Sequence, residues 1–345
     1  MVTVLAIAAA LWFGGGAFNV SARLRISILI ILFTAIILIQ ATLPVGNSLK
    51  EATGGSLWNW VVAGGIAAIV GGYIVVLRYL KERQAVMPQQ NTGAQPTFKP
   101  EELDRYARHI VLREVGGPGQ KKLKFAKVLV IGAGGLGAPV LQYLAAAGVG
   151  TIGVVDDDVV DTSNLQRQVI HTDARLGMPK VFSAQEAMAQ QNPFVTVKPY
   201  NRRLDAASAL ELFAEYDLIL DGTDNFDTRY MVNEVCVKLG KPLISAAITQ
   251  WEGQISLYHP AENAPCYACA FPVRPDRALA PSCAEAGVMG ALPGVVGSMM
   301  AVETIKWITD AGETLTGRLM LYDALFAETR VISLKRDPKC TVCGP

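Results

Sequence analysis

The 345-residue sequence predicts an α/β domain built on a mostly parallel sheet and stapled by a zinc-binding four-cysteine site, preceded by transmembrane α-helices. Three observations carry that expectation. After Pro100, apolar runs of strand character alternate with helical patterns, as βα units around a parallel sheet do. Four of the six cysteines fall in two Cys-x-x-Cys pairs, a spacing of metal ligands rather than of a secreted disulfide scaffold. The first eighty residues hold only the charges Arg23, Arg25, Lys50, Glu51 and Arg78, so the positive mean hydropathy of +0.30 is concentrated there. A chain that is 51% hydrophobic and 18% charged excludes disorder and collagen-like repeats.

Val2 to Val20, Ile26 to Val45 and Leu57 to Leu77 are uncharged and about 20 residues each, a length that matches a hydrocarbon core of about 30 Å. Buried core helices would need a polar face for water. A cleavable signal peptide would need a positively charged start, which the first run lacks. Gly14, Gly15 and Gly16 interrupt that run and make it the weakest of the three, so two spans plus an interfacial segment is the alternative. Arg23 and Arg25 follow the first run, and Arg78, Lys81 and Arg83 follow the third. The positive-inside rule therefore puts the C-terminal part on the cytoplasmic side of the inner membrane. Ala67 and Gly71, like Ala68 and Gly72, are small residues one turn apart that permit close helix contact, although such pairs are common in Gly/Ala-rich spans. Glu82 to Pro100 is polar, aperiodic and rich in Pro and Gly, a linker whose ends would lie about 25 Å apart as a coil. The chain thus divides into an anchor over residues 1–80, a linker over 81–100 and a catalytic domain over 101–345.

Residues 1–80 carry +3 of an overall +1, leaving −2 for the remainder and no electrostatic footprint for nucleic acid. Within that remainder the strand candidates are KVLVIG from Lys127, TIGVVD from Thr151, VTVKPY, DLILDG, KPLISAAI, GQISLYH and GRLMLYDAL. The first ends in Gly132-Ala133-Gly134-Gly135-Leu136-Gly137 and opens into an apolar helix. Glycines at that place let backbone N–H groups close on a phosphate, helped by the helix N-terminus, and mark a Rossmann-like nucleotide fold. Asp156, 24 residues on, ends the next strand, where a carboxylate can accept ribose hydroxyls. The loop alone leaves nicotinamide, flavin and ATP open.

Two further segments narrow the choice. Asp161 to Gln168 contains Ser163-Asn164-Leu165-Gln166-Arg167 and is followed by Gly177-Met178-Pro179-Lys180; Asp221-Gly222-Thr223-Asp224-Asn225 ends the fourth strand. A hydride-transfer enzyme has no evident use for Arg167 and Lys180 together. An enzyme that splits a nucleoside monophosphate from pyrophosphate does, because charge builds on a triphosphate and needs fixed cations and magnesium. RYARHIVL, GAGGLG, SNLQRQ, GMPK, DGTDN, CYAC, SCAEAGV and the terminal CTVCG follow in the order and approximate spacing of the MoeB/ThiF/HesA family. From about Leu103 to Gly344 the chain resembles that family, its MoeB branch above all: bacterial relatives of ubiquitin-activating enzymes.

The resemblance implies ATP-dependent adenylation of the C-terminal glycine of a small ubiquitin-like sulfur carrier, MoaD in molybdopterin synthesis or ThiS in thiamine synthesis. It implies a nucleotide site made of Gly132, Gly134, Gly135, Gly137, Asp156, Ser163, Asn164, Leu165, Gln166, Arg167, Lys180, Asp224 and Asn225. In it Asp156 holds the ribose, Asn164, Arg167 and Lys180 reach the phosphates, and Asp224 helps to hold magnesium. Arg108 matches an arginine that reaches ATP from a neighbouring subunit, which implies a homodimer. Cys266, Cys269, Cys340 and Cys343 become the ligands of one structural zinc, a redox dithiol being the alternative reading of the pairs. Cys283 matches a cysteine that some relatives use covalently and others do not need. The chain ends two residues after Cys343, so an appended rhodanese-like domain is not expected and sulfur would come from another protein.

Cys236, His109, His171 and His259 are expected to be structural, since none has a partner spacing that argues for nucleophilic catalysis. Three rival readings are a nicotinamide oxidoreductase, which leaves the segment 161–168 and DGTDN unexplained, an inactive membrane scaffold, and an adenylating enzyme acting on tRNA, for which the soluble part lacks basic charge.

Overall fold

Two units, Met1–Gln95 and Pro96–Pro345, make up the computed structural model, which describes residues 2–18, 20–54, 56–85, 97–275 and 283–344.

In the first unit, α1 (Val2–Ala17), α2 (Ala22–Thr42), the single turn α3 (Ser48–Ala52) and α4 (Leu57–Ala85) follow one another. Ser21 caps α2 by accepting the Leu24 N–H. Val4, Ile36 and Trp60 form a small shared core, with Phe33 set edge-on to Trp60 at 6.1 Å and the Trp60 indole donating to the Thr53 carbonyl at 2.9 Å. The outward side chains, Ile30, Ile31, Ile66, Ile69 and Val75 among them, are exposed and apolar. Among the described residues, two stretches, Leu24–Thr42 and Ser48–Leu77, are long and apolar enough to cross a membrane. The first of the three apolar runs forms a shorter helix of 16 residues, which passes through Gly14–Gly16 without a break. Helix α4 continues five residues into the segment read as linker, and residues 86–96 of that linker lie outside the described residues.

The second unit begins with α5 (Pro100–Ile110) and α6 (Gly116–Phe125) and then alternates. The order is β1 (Lys127–Ile131), α7 (Gly137–Ala147), β2 (Thr151–Val155), α8 (Lys180–Gln191), β3 (Thr196–Tyr200), α9 (Ala206–Ala214), β4 (Leu218–Asp221), α10 (Phe226–Leu239) and β5 (Leu243–Ile248). Beyond them lie β6 (Glu252–Tyr258), α11 (Tyr267–Ala270), α12 (Cys283–Ala286), α13 (Leu292–Thr309), β7 (Arg318–Asp323) and β8 (Glu328–Ser333). The sheet order is β3-β2-β1-β4-β5-β6-β7-β8. The first five strands are parallel and the last three add an antiparallel meander.

The central strands β1, β2, β4 and β5 are buried on both faces, so they read as continuous apolar runs rather than alternations. Period two still sorts their side chains. Val128 and Val130 of β1, with Leu218 and Leu220 of β4, face the layer of α7, α8 and α13. Leu129, Ile131 and Ile219 face α9, α10 and Tyr267. The order of strand addition reverses between β1 and β4, because the chain leaves β1 toward β2 and β3 and returns to β4 on the other side. The crevice at that reversal is where open α/β sheets bind ligands.

Gly137 does not face that crevice. A Cβ there would stand 1.9 Å from the Gly132 carbonyl oxygen, so the last glycine of the loop keeps helix α7 tight against β1 rather than touching a ligand. Gly137→Ala is expected to destabilise the second unit by about 1–3 kcal/mol or more, read from the midpoint of its denaturant transition.

Candidate active site

Both loops that meet at the crevice are positioned by backbone bonds. The N–H of Gly132 donates to the Val155 carbonyl at 2.8 Å and that of Gly222 to the Ile131 carbonyl at 3.0 Å. Gly132 adopts φ +93°, and a Cβ on it would press on the Gly222 carbonyl at 3.2 Å. The two strand ends therefore approach backbone to backbone and leave a cavity of about 720 Å³ in front of them. Asn225 closes the second loop as the N-cap of α10, its Oδ1 accepting the Thr228 N–H at 2.8 Å.

Asp156 leaves the end of β2 and turns back over the glycine loop. Its Oδ2 accepts the Ala133 N–H at 2.7 Å and its Oδ1 the Asp158 N–H at 2.9 Å. Burial pushes its carboxyl above the ordinary aspartate range, partly offset by those two amides. Lys180, at the first turn of α8, is buried and pairs with Asp158 at 2.8 Å, while its N–H donates to the Asp158 carbonyl at 2.9 Å. Asp158 thus ties the carboxylate end of the cavity to a buried cation. Arg167 donates to the Ser163 carbonyl at 2.9 Å, and a Cβ on Gly135 would lie 3.9 Å from its Cδ.

Gly132, Gly134, Gly135, Asp156, Arg167, Lys180, Asp224 and Asn225 line the cavity. Ser163, Asn164, Leu165 and Gln166 are not part of that lining. Asp161 caps that turn and accepts both the Ser163 N–H and hydroxyl, at 2.9 and 2.6 Å. Gln166 packs so close to Gly290 that a Cβ there would meet its Oε1 at 2.3 Å. The segment presents Arg167 and Gln168 to the cavity rather than facing it throughout. Arg108 lies exposed on α5, away from the cavity lining. Cys283 opens α12 next to Pro281 and Ser282, which lie outside the described residues, as does the Cys283 side chain.

Three cations of the lining escape sequence reasoning: Arg202 and Arg203, just past β3, and Arg229 on α10. No short motif flags the first two; they arrive because β3 is the outer strand of the parallel set. The histidines are structural or uncommitted. The His171 Nε2 donates to the Ala133 carbonyl at 3.0 Å and Nδ1 meets the Ser183 hydroxyl at 2.8 Å, and burial lowers its pKa, so a neutral ring ties the glycine loop to α8. Cys236 is buried in the core, where burial raises its thiol far above the ordinary range.

The four paired cysteines come together from 74 residues apart in sequence. Cys266 and Cys269 lie 3.8 Å apart at sulfur, Cys266 and Cys340 3.6 Å, and Cys269 and Cys343 3.4 Å. A zinc held at about 2.3 Å from each of four sulfurs requires tetrahedral edges of about 3.8 Å, so the thiols fit that ion. None is in a disulfide. Burial raises the Cys340 thiol, but hydrogen bonds from the Cys343 and Val342 amides and from neighbouring thiols outweigh it and bring Cys340 down to about 7.

Comparison with known proteins follows the same outline. The model of the ThiF family matches residues 106–342. The chain is 52% identical over 248 residues to the sulfur carrier protein adenylyltransferase of Thermus thermophilus, covering 71% of this chain and 92% of that protein. It is 52% identical over 243 residues to the probable adenylyltransferase/sulfurtransferase MoeZ of Mycobacterium tuberculosis, covering 69% of this chain and 62% of that protein. Among solved structures, E. coli MccB with ATP is similar at a TM-score of 0.58 and 25% identity, over 66% of this chain and 70% of that one.

Proposed function

Because the chain belongs to the ThiF family and is an adenylyltransferase, we propose that it adenylates the C-terminal glycine of a ubiquitin-like sulfur carrier from ATP. The carrying observation is the cavity itself: a glycine loop, a ribose-ready carboxylate and the cations Arg167 and Lys180 around one space. The carrier is of the MoaD type, in molybdopterin synthesis, with a ThiS-type carrier of thiamine synthesis as the second reading.

The chemistry asks little acid/base work of the protein. A C-terminal carboxylate is ionised at neutral pH. One of its oxygens bonds to the α-phosphorus of ATP while the α,β-bridging bond breaks, and pyrophosphate leaves with the electron pair. Positioning and charge neutralisation then set the rate. Asp156 accepts the ribose hydroxyls, the glycine-loop amides meet phosphate oxygens, and Arg167 and Lys180 offset the charge that grows on pyrophosphate. Lys180 must exchange Asp158 for phosphate as the nucleotide enters. Asp224 and Asn225 stand where a phosphate-bound magnesium would be held, and that ion would supply further neutralisation. Zinc on the four thiols would supply structure only, its coordination being closed.

Asp156 gives this account a pH signature. Its carboxyl must be ionised to accept two hydroxyls, and burial favours the neutral form. Affinity for an ATP analogue is therefore expected to fall as pH drops, with a midpoint above the ordinary aspartate value of about 3.9, and to lose that limb in Asp156→Asn. Isothermal titration between pH 4 and 8 reads it.

Arg108 supports a homodimer: it carries the family's trans-acting position yet stands exposed outside its own chain's cavity. The first unit serves as a membrane anchor with the catalytic domain on the cytoplasmic face. Its two long apolar helices and the outward Ile30, Ile31, Ile66 and Ile69 support that reading. Cys283 is left between a covalent and a spare role; a reducible adduct with the carrier, lost in Cys283→Ser, marks the former. The test of the carrier is a panel. The full chain in detergent, given ATP, magnesium and each ubiquitin-like carrier in turn, is expected to release pyrophosphate with one carrier. Release with none contradicts the assignment.

A further inference from the structure

Arg229 has no part in the chemistry above, yet it is buried between the nucleotide cavity and the thiol cluster. Its Nε lies 3.6 Å from Asp221 Oδ2, and one terminal nitrogen donates to the Thr223 carbonyl at 2.5 Å. Asp221 is itself fully buried and accepts the Ser245 hydroxyl at 3.0 Å and the Thr223 N–H and hydroxyl at 3.0 and 2.6 Å. The segment from Gly222 to Asn225 therefore hangs from Asp221 on one side and from Arg229 on the other. A guanidinium in that position fixes direction as well as charge, because its donors form a rigid planar fork.

The same guanidinium also lies beside the ring of Tyr267. Its carbon lies 5.8 Å from the ring centre of Tyr267, within reach of a cation–π contact. Tyr267 is the residue after Cys266. One turn along α10, on the face that Arg229 occupies, Asn233 accepts the Tyr267 N–H at 2.8 Å. Tyr230, Tyr258 and Phe271 pack around the Tyr267 ring at 5.2, 5.7 and 4.8 Å and leave it little freedom. A continuous set of packed and bonded groups thus runs from Cys266 through Tyr267 and Arg229 to Thr223 and the cavity.

We propose that Arg229 is a positioning residue that couples occupancy of the four-thiol site to nucleotide binding, by holding the Thr223–Asn225 segment against a ring whose place the metal site sets. The inference rests on the nucleotide reading of the cavity. Coupling between two binding sites is reciprocal: metal at the thiols tightens nucleotide binding, and nucleotide tightens metal binding by the same factor.

The experiment uses the full chain in detergent, zinc-loaded and zinc-stripped, as wild type and as Arg229→Lys, which keeps the buried charge and removes the fork. Affinity for a non-hydrolysable ATP analogue is read by calorimetry. Removing zinc is expected to weaken the wild type by about 5-fold or more and to change Arg229→Lys little beyond the loss that variant already shows. Where stripping unfolds the chain, competition with a chromophoric chelator reads the reciprocal arm on folded protein. The analogue is then expected to raise zinc affinity in the wild type and not in Arg229→Lys. An equal effect in both proteins, by either reading, overturns the coupling while leaving the nucleotide site standing. Failure of zinc-loaded wild type to bind the analogue overturns the nucleotide reading and the coupling with it.

Discussion

Arg167→Ala is expected to lower carrier-dependent exchange of labelled pyrophosphate into ATP by about 10²–10³-fold, with the circular dichroism spectrum and unfolding midpoint unchanged. This arginine is lightly held. Among the described residues its one hydrogen bond is to the Ser163 carbonyl, and its side chain borders the cavity beside Gly135, so the described fold asks little of its charge. A cation fixed where negative charge builds acts mainly in the transition state, which places the loss in kcat more than in KM. Lys180 makes a useful contrast. It is buried against Asp158, and its removal leaves a carboxylate next to Asp156 without its cation, so Lys180→Ala mixes a catalytic loss with a local electrostatic one. Near-normal exchange in Arg167→Ala contradicts the assignment of the phosphate end of the cavity.

The second large effect belongs to the thiols. Cys266→Ser is expected to abolish stoichiometric zinc and to lower the stability of the second unit, whereas Cys236→Ala keeps one zinc per chain. A ligand that binds only the folded state adds about 3–4 kcal/mol at 100–1,000 times its Kd, and the variant lacks that share. The effect is large here because the two pairs close a long loop. The turn at Cys266 packs with α10 in one core, while Cys340 and Cys343 belong to the C-terminal segment beyond β8. Metal analysis together with thermal unfolding, before and after chelation, reads both parts. A fully zinc-loaded Cys266→Ser with wild-type unfolding contradicts the structural site.

Much of this geometry is legible in the sequence where it is local. The glycine loop, Asp156 and the DGTDN segment stand at the ends of β1, β2 and β4, and period and turn residues locate strand ends directly. The thiol pairs declare themselves by spacing, and closure of four sulfurs to tetrahedral distances is the long-range event that spacing alone only implies. What local reading misses follows from strand order. Arg202 and Arg203 enter the cavity because β3 is the outer neighbour of β2, and Arg229 because α10 starts at the end of β4. Gly137 reads as part of the phosphate loop, yet steric contact with the Gly132 carbonyl gives it a packing role. Within the meander, β6 and β7 are visible as strands but not as antiparallel, since direction depends on connections that carry no pattern of their own, and β8 is missed because it is exposed along its length and has no apolar run. Helix α1 ends at Ala17, so the first apolar run of the sequence is a helix shorter than the membrane core requires.

The account turns on one covalent product, the carrier protein with AMP on its C-terminal glycine. Intact mass of the carrier, after incubation with the full chain, ATP and magnesium, tests it most directly. A gain of one adenylate on a carrier that ends in glycine, absent when that glycine is deleted and absent with Arg167→Ala, is the result expected. An unmodified carrier alongside a chain that binds ATP would contradict it.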